Sequence, residues 1–325
     1  MVSESKLRLL YIQKILSEMT DEIHPLSTVQ IMNVLKKKYG IDAHRTTVGD
    51  DIETLQQFGV DIVKIRSTQS QYFMGSRLFE TPELKILLDA VDSSKLITRT
   101  KSRLLTAKLL SMTDKYTASS LRDGLRAGER VKSENEKIYY IVDTIEVAIR
   151  ENKKIAFQYF RYNEKKEREL RHDGEIYVFS PYTTVWNGDY YYMIGVSEKH
   201  AGVVTFRIDR IAEQPKILDE TAEPMPPEFN ADSYLRSTFR MFDSKHETVT
   251  LQCANDTMDS MIDRFGEEID VRPYDETSFQ ATVEVALSHI FYNWVFGFGG
   301  KVRLLAPDSA RQEYRHLLAT ALETA

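Results

Sequence analysis

The run from Ser180 to Ile211, SPYTTVWNGDYYYMIGVSEKHAGVVTFRIDRI, constrains the fold more than any other part of this chain. Asn187-Gly188 is two-residue hairpin chemistry, because both central residues of a type I′ turn need positive φ. It joins a first strand-like run, 183–186, to a second, 190–196. The second is aromatic and apolar throughout, which predicts cover on both faces. A looser turn over 198–202 leads to a third run, 203–211. Its alternation puts Val204, Phe206 and Ile208 on one face and Thr205, Arg207 and Asp209 on the other. The apolar set suits a core. The polar set leaves two readings open: an exposed ion pair that contributes little, or an anion-recognition face built on the planar fork of arginine.

These residues resemble a family. Tyr191-Tyr192-Met193-Ile194-Gly195-Val196 is similar to the Trp-Tyr-Leu core that names the WYL domain, with Tyr for Trp and Met for Leu. Phe206-Arg207-Ile208-Asp209-Arg210-Ile211 resembles its closing signature. Ser180-Pro181-Tyr182 matches the segment before the hairpin in many bacterial members. The resemblance implies a small Sm-like β-barrel serving as the sensor module of a bacterial transcription regulator. It also implies a basic pocket that in several members recognises nucleic acid or nucleotide.

The strands that would complete such a barrel are present. Residues 153–162 read as one strand entering it, with Phe157, Tyr159 and Arg161 on one face. A charged loop over 163–169 and a return run, 176–179, lead into Ser180. Tyr159, Ser180, Tyr182, Tyr191, Arg207 and Arg210 are the candidate ligand-binding residues, aromatics to stack on bases and arginines to hold phosphate. Several of the tyrosines read equally well as barrel core. Arg207 and Arg210 share a pocket only where a bulge or strand end reorients one of them.

The N-terminal residues 1–78 show a different pattern. Helical spacing of Leu9, Ile12, Leu16 and Met19 marks a first helix. Ser27 caps a second over 28–39, which Gly40 stops. A third helix, from about Arg45 to Phe58, buries Val48, Ile52 and Leu55. A ribbon over 60–75 follows, turning at Ser67-Thr68-Gln69-Ser70. Three helices and a two-stranded wing read as a winged helix-turn-helix. In that geometry the start of the third helix meets double-stranded DNA, through His44, Arg45, Thr46 and Thr47. Lys36, Lys37, Lys38, Lys64 and Arg66 would contact phosphates. The third helix also resembles the recognition helix of winged regulators found with WYL domains, although Asp50 stands where a basic residue is common and Glu53 adds further negative charge. The alternative is a protein-contact module with a solvated lysine run.

Residues 79–150 form a helical linker or dimerisation region, as the resemblance implies for the segment between reader and sensor. Thr81-Pro82-Glu83 starts one helix, with Thr81 as the cap. A second spans 99–110 and a third 133–152. The stretch 113–132 between them is polar and poorly patterned. A sensor domain over 151–225 follows, then a Pro-rich linker. The last part, 226–325, reads βαββαβ with a closing helix, a ferredoxin-like order. It matches the extension that often follows WYL domains. The fold class expected is therefore multidomain α+β.

At 325 residues the chain is long enough for several cores. A net charge of −6 gives no global sign of nucleic-acid binding, so a DNA partner rests on local features. The one cysteine, Cys253, rules out an intrachain disulfide and, within an apolar run, reads as a buried strand residue. Neither signal-peptide layout nor membrane-spanning run is visible, so cytoplasmic residence is expected. P-loop, dinucleotide turn and HExxH are all missing, and the histidines lack ligand spacing. The expectation is a non-enzymatic, ligand-responsive homodimeric regulator without cofactor. A nucleic-acid or nucleotide-binding module whose first domain makes protein contacts is the alternative.

Overall fold

A computed structural model of the chain describes residues 4–66, 69–125, 132, 135–227, 229–231, 234 and 246–324. It divides into two compact units, Met1–Glu134 and Asn135–Ala325.

The first unit begins with α1 (Glu4–Met19), β1 (Leu26–Ser27), α2 (Thr28–Tyr39), α3 (Arg45–Gln57), β2 (Ile62–Ile65) and β3 (Gln71–Met74). The two expected strands gain a third partner, since β1 pairs with β3 to give the antiparallel order β1-β3-β2. The boundaries of α2 follow from its ends. Ser27 Oγ accepts from Gln30 N while Gln30 Oε1 accepts from Ser27 N, a reciprocal capping box. Gly40 ends the helix at φ +69°, where a side chain is disfavoured. Ile12, Leu16, Ile31, Leu35, Val48, Ile52 and Tyr72 close the core. Ser67 and Thr68 of the expected turn lie outside the described residues.

The rest of this unit holds α4 (Thr81–Ser93), α5 (Arg99–Leu110) and α6 (Lys115–Asp123). Thr81 is the first helical residue of α4, not its cap. The cap position is Glu80, whose N–H donates to Glu83. The stretch expected to lack pattern contains α6. Asp114 caps it by accepting from Tyr116 N and Thr117 N, and Ala118 and Leu121 pack against Leu84, Leu88 and Leu110.

The second unit opens with α7 (Ile138–Arg150), shorter than the 133–152 expected. Its sheet has the antiparallel order β10-β4-β7-β8-β9, from β4 (Lys153–Phe157), β7 (Tyr177–Asn187), β8 (Tyr190–Ser197), β9 (His200–Arg207) and β10 (Lys216–Thr221). The single strand expected over 153–162 breaks at Gln158. Tyr159 instead bridges to Ile211, and β5 (Phe160–Tyr162) pairs with β6 (Arg168–Leu170) as a separate hairpin. The break turns Arg161 outward, away from the face of Phe157 and Tyr159.

Two turns also differ from expectation. Asn187 pairs with Tyr190, so the central residues are Gly188 and Asp189. Only Gly188 has positive φ, at +58°, the φ pattern of a II′ turn rather than I′. The next turn is tighter, because Ser197 pairs with His200 and residues 200–202 join β9. That strand stops at Arg207, and Ile208–Arg210 form a 3-10 turn. Along β7 the register shifts between Pro181 and Thr183, which places Tyr182 at a bulge.

The chain ends with β11 (His246–Ala254), α8 (Met258–Phe265), β12 (Asp270–Pro273), β13 (Ser278–Ala286), α9 (His289–Phe296), β14 (Val302–Ala306) and α10 (Asp308–Thr324). The antiparallel sheet runs β12-β13-β11-β14. Val249, Leu251, Cys253, Val283, Phe291 and Val295 form its core.

Candidate functional site

Two groups of residues merit a functional reading, one in each unit. In the first, α3 opens at His44, which is extended (φ −91°, ψ 156°) and makes no side-chain cap. The amides of the first turn therefore lack a side-chain acceptor at the cap, which favours an anion there. His44, Arg45 and Thr46 are exposed around it and Thr47 is half-buried. The lysines are less free than their run implies. Lys36 Nζ lies 2.9 Å from Asp42, and Lys38 lies 3.6 Å from Glu18 and over the Tyr39 ring. Lys64 lies over Tyr72, while Lys37 and Arg66 are exposed. Asp50 and Glu53 are exposed one and two turns further along α3. Asp51 instead turns inward to Arg8 Nε at 2.6 Å.

The second unit does not gather its six candidates into one pocket. Ser180 Oγ accepts from Glu223 N, and Tyr182 OH donates to Pro224 O. Both are buried and hold the strand exit after β10 rather than facing solvent. Tyr191 meets Thr184 through its hydroxyl and tilts against Trp186. It lies on the opposite face of β8 from Tyr190 and Tyr192, as the period of two requires. Arg207, paired across to Tyr192, lies on that other face and stacks on Tyr190 at 3.4 Å. Tyr191 and Arg207 therefore cannot share a pocket.

Of the six, Tyr159 and Arg207 do come together. Tyr159 OH accepts from Arg207 N at 3.1 Å, and its ring packs edge-on against Phe157, Tyr177 and Phe206. Tyr159 is thus an aromatic-core residue. Burial pushes its hydroxyl up to about 12. Arg207 is bidentate to Asp209, at 3.0 and 2.7 Å. Burial works against its charge, but the hydrogen bonds and field of Asp209 win, and its pKa is raised.

The 3-10 turn that ends β9 carries Arg210 away to the β5–β6 hairpin. There it lies over Tyr162 at 4.7 Å and Phe160 at 5.6 Å. Arg168 covers Phe160 at 4.9 Å, and Arg171 approaches Tyr159. Among the described residues Arg168, Arg171 and Arg210 make no ion pair, whereas Arg207 does. The open cationic face is therefore the hairpin one, with Tyr162 half exposed beside it. Sequence reasoning missed Tyr190, Phe160, Tyr162, Arg168 and Arg171. The alternation of β8 groups Tyr190 with Tyr192, but only the register with β9 puts Arg207 on their face, and the hairpin residues become neighbours of Arg210 only once the strand breaks at Gln158.

A third feature lies between α9 and α10. Tyr292, Phe296, Tyr314, Leu317, Leu318 and Leu322 line an apolar groove of about 620 Å³.

Residues 140–215 match the WYL domain family, and residues 245–322 match the WCX domain family. No curated protein matches the chain. Among solved structures it is similar to proteasome accessory factor B/C (PafBC) of Arthrobacter aurescens, at 16% identity and a TM-score of 0.30. That match covers 95% of this chain and 45% of the other, so this chain spans under half its length. It is also similar to a structure titled a CRISPR Cas-related protein, at 13% identity and a TM-score of 0.38, covering 99% and 83%. No helix among the described residues is long and apolar enough to cross a membrane. By the two family matches, the chain carries a WYL domain followed by a WCX domain.

Proposed function

We propose that this protein is a ligand-responsive, DNA-binding transcription regulator. Residues 1–78 would be a winged helix-turn-helix reader, the WYL domain would sense a nucleotide or nucleic-acid effector, and two copies would bind a two-fold operator. The observation that carries the reader is the start of α3: a helix N-terminus with no side-chain cap, ringed by exposed His44, Arg45 and Thr46. The sheet beside it supports a wing. The strand order β10-β4-β7-β8-β9 behind α7 supports an Sm-like barrel, and the order β12-β13-β11-β14 supports a ferredoxin-like extension. The sensor reading rests on the WYL match and on three arginines, without ion pairs among the described residues, laid over aromatic rings. No reaction is assigned to the chain, and its compartment in this reading is the cytoplasm.

An effector changes DNA affinity only by binding one arrangement of the protein better than another. The effector site proposed here is Arg210 with Arg168, Arg171 and Tyr162. Arg210→Ala should weaken a single-stranded oligonucleotide at least fivefold, and Tyr191→Phe should leave it unchanged. The opposite ranking would move the site to the other face of β8.

A second reading is favoured by the charges on α3. Asp50 and Glu53 are exposed, and Lys36 and Lys38 sit near carboxylates of this unit. These features suit a protein-contact surface. The double variant Arg45→Ala, Thr47→Ala separates the two readings. It abolishes selective duplex binding in the first and leaves any duplex binding untouched in the second.

A further inference from the structure

The C-terminal end of α1 has no basic residue in its last turn. Its carbonyls need a positive partner to offset the negative end of the helix dipole. That partner arrives from about 60 residues away. Arg77, between β3 and α4, donates through Nη1 to Ser17 O at 2.6 Å and through Nη2 to Thr20 O at 2.6 Å. The same Nη2 lies 3.5 Å from Asp114 Oδ2. Asp114 is the cap of α6, so the carboxylate complements the positive end of one helix while the guanidinium complements the negative end of another. The pair is shielded, with side-chain exposures of 15% for Arg77 and 1% for Asp114.

Other contacts surround this link. Thr20, fully buried, donates to Leu16 O and accepts from Met74 N at 3.1 Å, which ties the end of α1 to β3. The His24 ring, held by Asp21 at 2.8 Å, stacks on Tyr116 of α6 at 3.6 Å and 12°. Burial alone would raise the Asp114 pKa. Hydrogen bonds from Thr117 and Tyr116 and the charge of Arg77 hold it below the usual carboxylate range instead. On the far side, α1 reaches α3 through another shielded ion pair, Arg8 with Asp51. Two shielded ion pairs thus flank α1, Arg77 with Asp114 at its C-terminal end toward α6 and Arg8 with Asp51 nearer its N-terminus toward α3.

We propose that Arg77 is a coupling residue that fixes α6 to α1, so that α1–α3 and α4–α6 move as one body. On the DNA-reading function proposed above, a displacement of α6 then repositions α3 directly, without a free joint at residues 75–80. This role differs from that of a cap, because a cap concerns only its own helix.

Two single variants in the full chain make that difference measurable. Asp114→Ser keeps an oxygen to cap Tyr116 N and Thr117 N but removes the charge facing Arg77. Arg77→Met removes the guanidinium and leaves the Asp114 cap in place. The readout is amide hydrogen exchange, with no DNA present. Both variants should speed exchange at least tenfold in the last turn of α1 and at Met74, with residues 246–324 unchanged. Exchange raised in α6 alone by Asp114→Ser, with α1 unmoved in both variants, would overturn the proposal. Should Arg77→Met fail to fold, Arg77→Lys replaces it and should give an intermediate effect. Duplex affinity is measured separately. If wild-type protein binds no DNA, the reader assignment fails while the exchange result still decides the coupling.

Discussion

Gly195 gives the sharpest test of the packing behind the proposed effector site. It sits on β8 opposite Pro181, beside the β7 bulge. A Cβ built there would lie 2.1 Å from Ser180 O and 2.8 and 2.9 Å from two atoms of the Phe179 ring. Ordinary contact begins near 3.4 Å, so the two strands would have to part by more than an ångström. Neither neighbour can yield cheaply. Ser180 O is backbone, and Phe179 is buried edge-on against Phe157 and Phe206. Overpacking a rigid core costs roughly 1–3 kcal/mol and more where backbone must move, so Gly195→Ala should cost at least about 3 kcal/mol. Gly188→Ala is the control: its φ of +58° brings strain of about 1–2 kcal/mol, but the added methyl meets nothing within 4 Å. Urea unfolding followed by Trp186 emission, in a Trp294→Phe background, reports on this domain. Gly195→Ala costing no more than Gly188→Ala would refute the close approach of β7 and β8.

Three further outcomes are expected. Ser27→Ala removes one arm of the α2 capping box and should lower the stability of the first unit by about 1 kcal/mol, read as a shift in denaturant midpoint at unchanged slope. Burial raises the Tyr159 hydroxyl to about 12, so the stability it contributes is whole below about pH 10 and is lost as pH rises toward 12. Tyr159→Phe should remove that alkaline loss and, by leaving Arg207 N–H without its acceptor, cost about 1–3 kcal/mol at neutral pH. Burial likewise pushes the Cys253 thiol up to about 11, so an alkylating reagent should not label it at pH 8 until the sheet of residues 246–324 opens.

What was legible in the sequence was local. Ser27 and Gly40 marked both ends of α2, and the element order of residues 246–324 was readable as well. The mixed helix-and-sheet architecture emerged from these signals together. What was hidden depended on contacts distant in sequence. The helix α6 has a short apolar stripe, and its place depends on Leu84, Leu88 and Leu110 packing on it from α4 and α5. The break at Gln158 leaves no local trace, because Tyr159 is diverted by its bridge to Ile211. The end of β9 at Arg207 is equally silent, yet it sends Arg210 to the hairpin and separates it from Tyr190. Tyr190, Tyr191 and Tyr192 are indistinguishable by type. Only the pairing of Tyr192 with Arg207 decides which of them the arginine can touch.

The central claim is that residues 1–78 read duplex DNA under the control of the WYL domain. The most direct measurement is binding of the full chain to duplex DNA from upstream of its own gene, across a salt series, followed by selection from a random duplex pool. The account predicts sequence-selective binding that weakens with salt. The slope should correspond to roughly 0.9 per phosphate contacted, and it should become shallower in Arg45→Ala. Failure to select any duplex from the pool at low salt would contradict it.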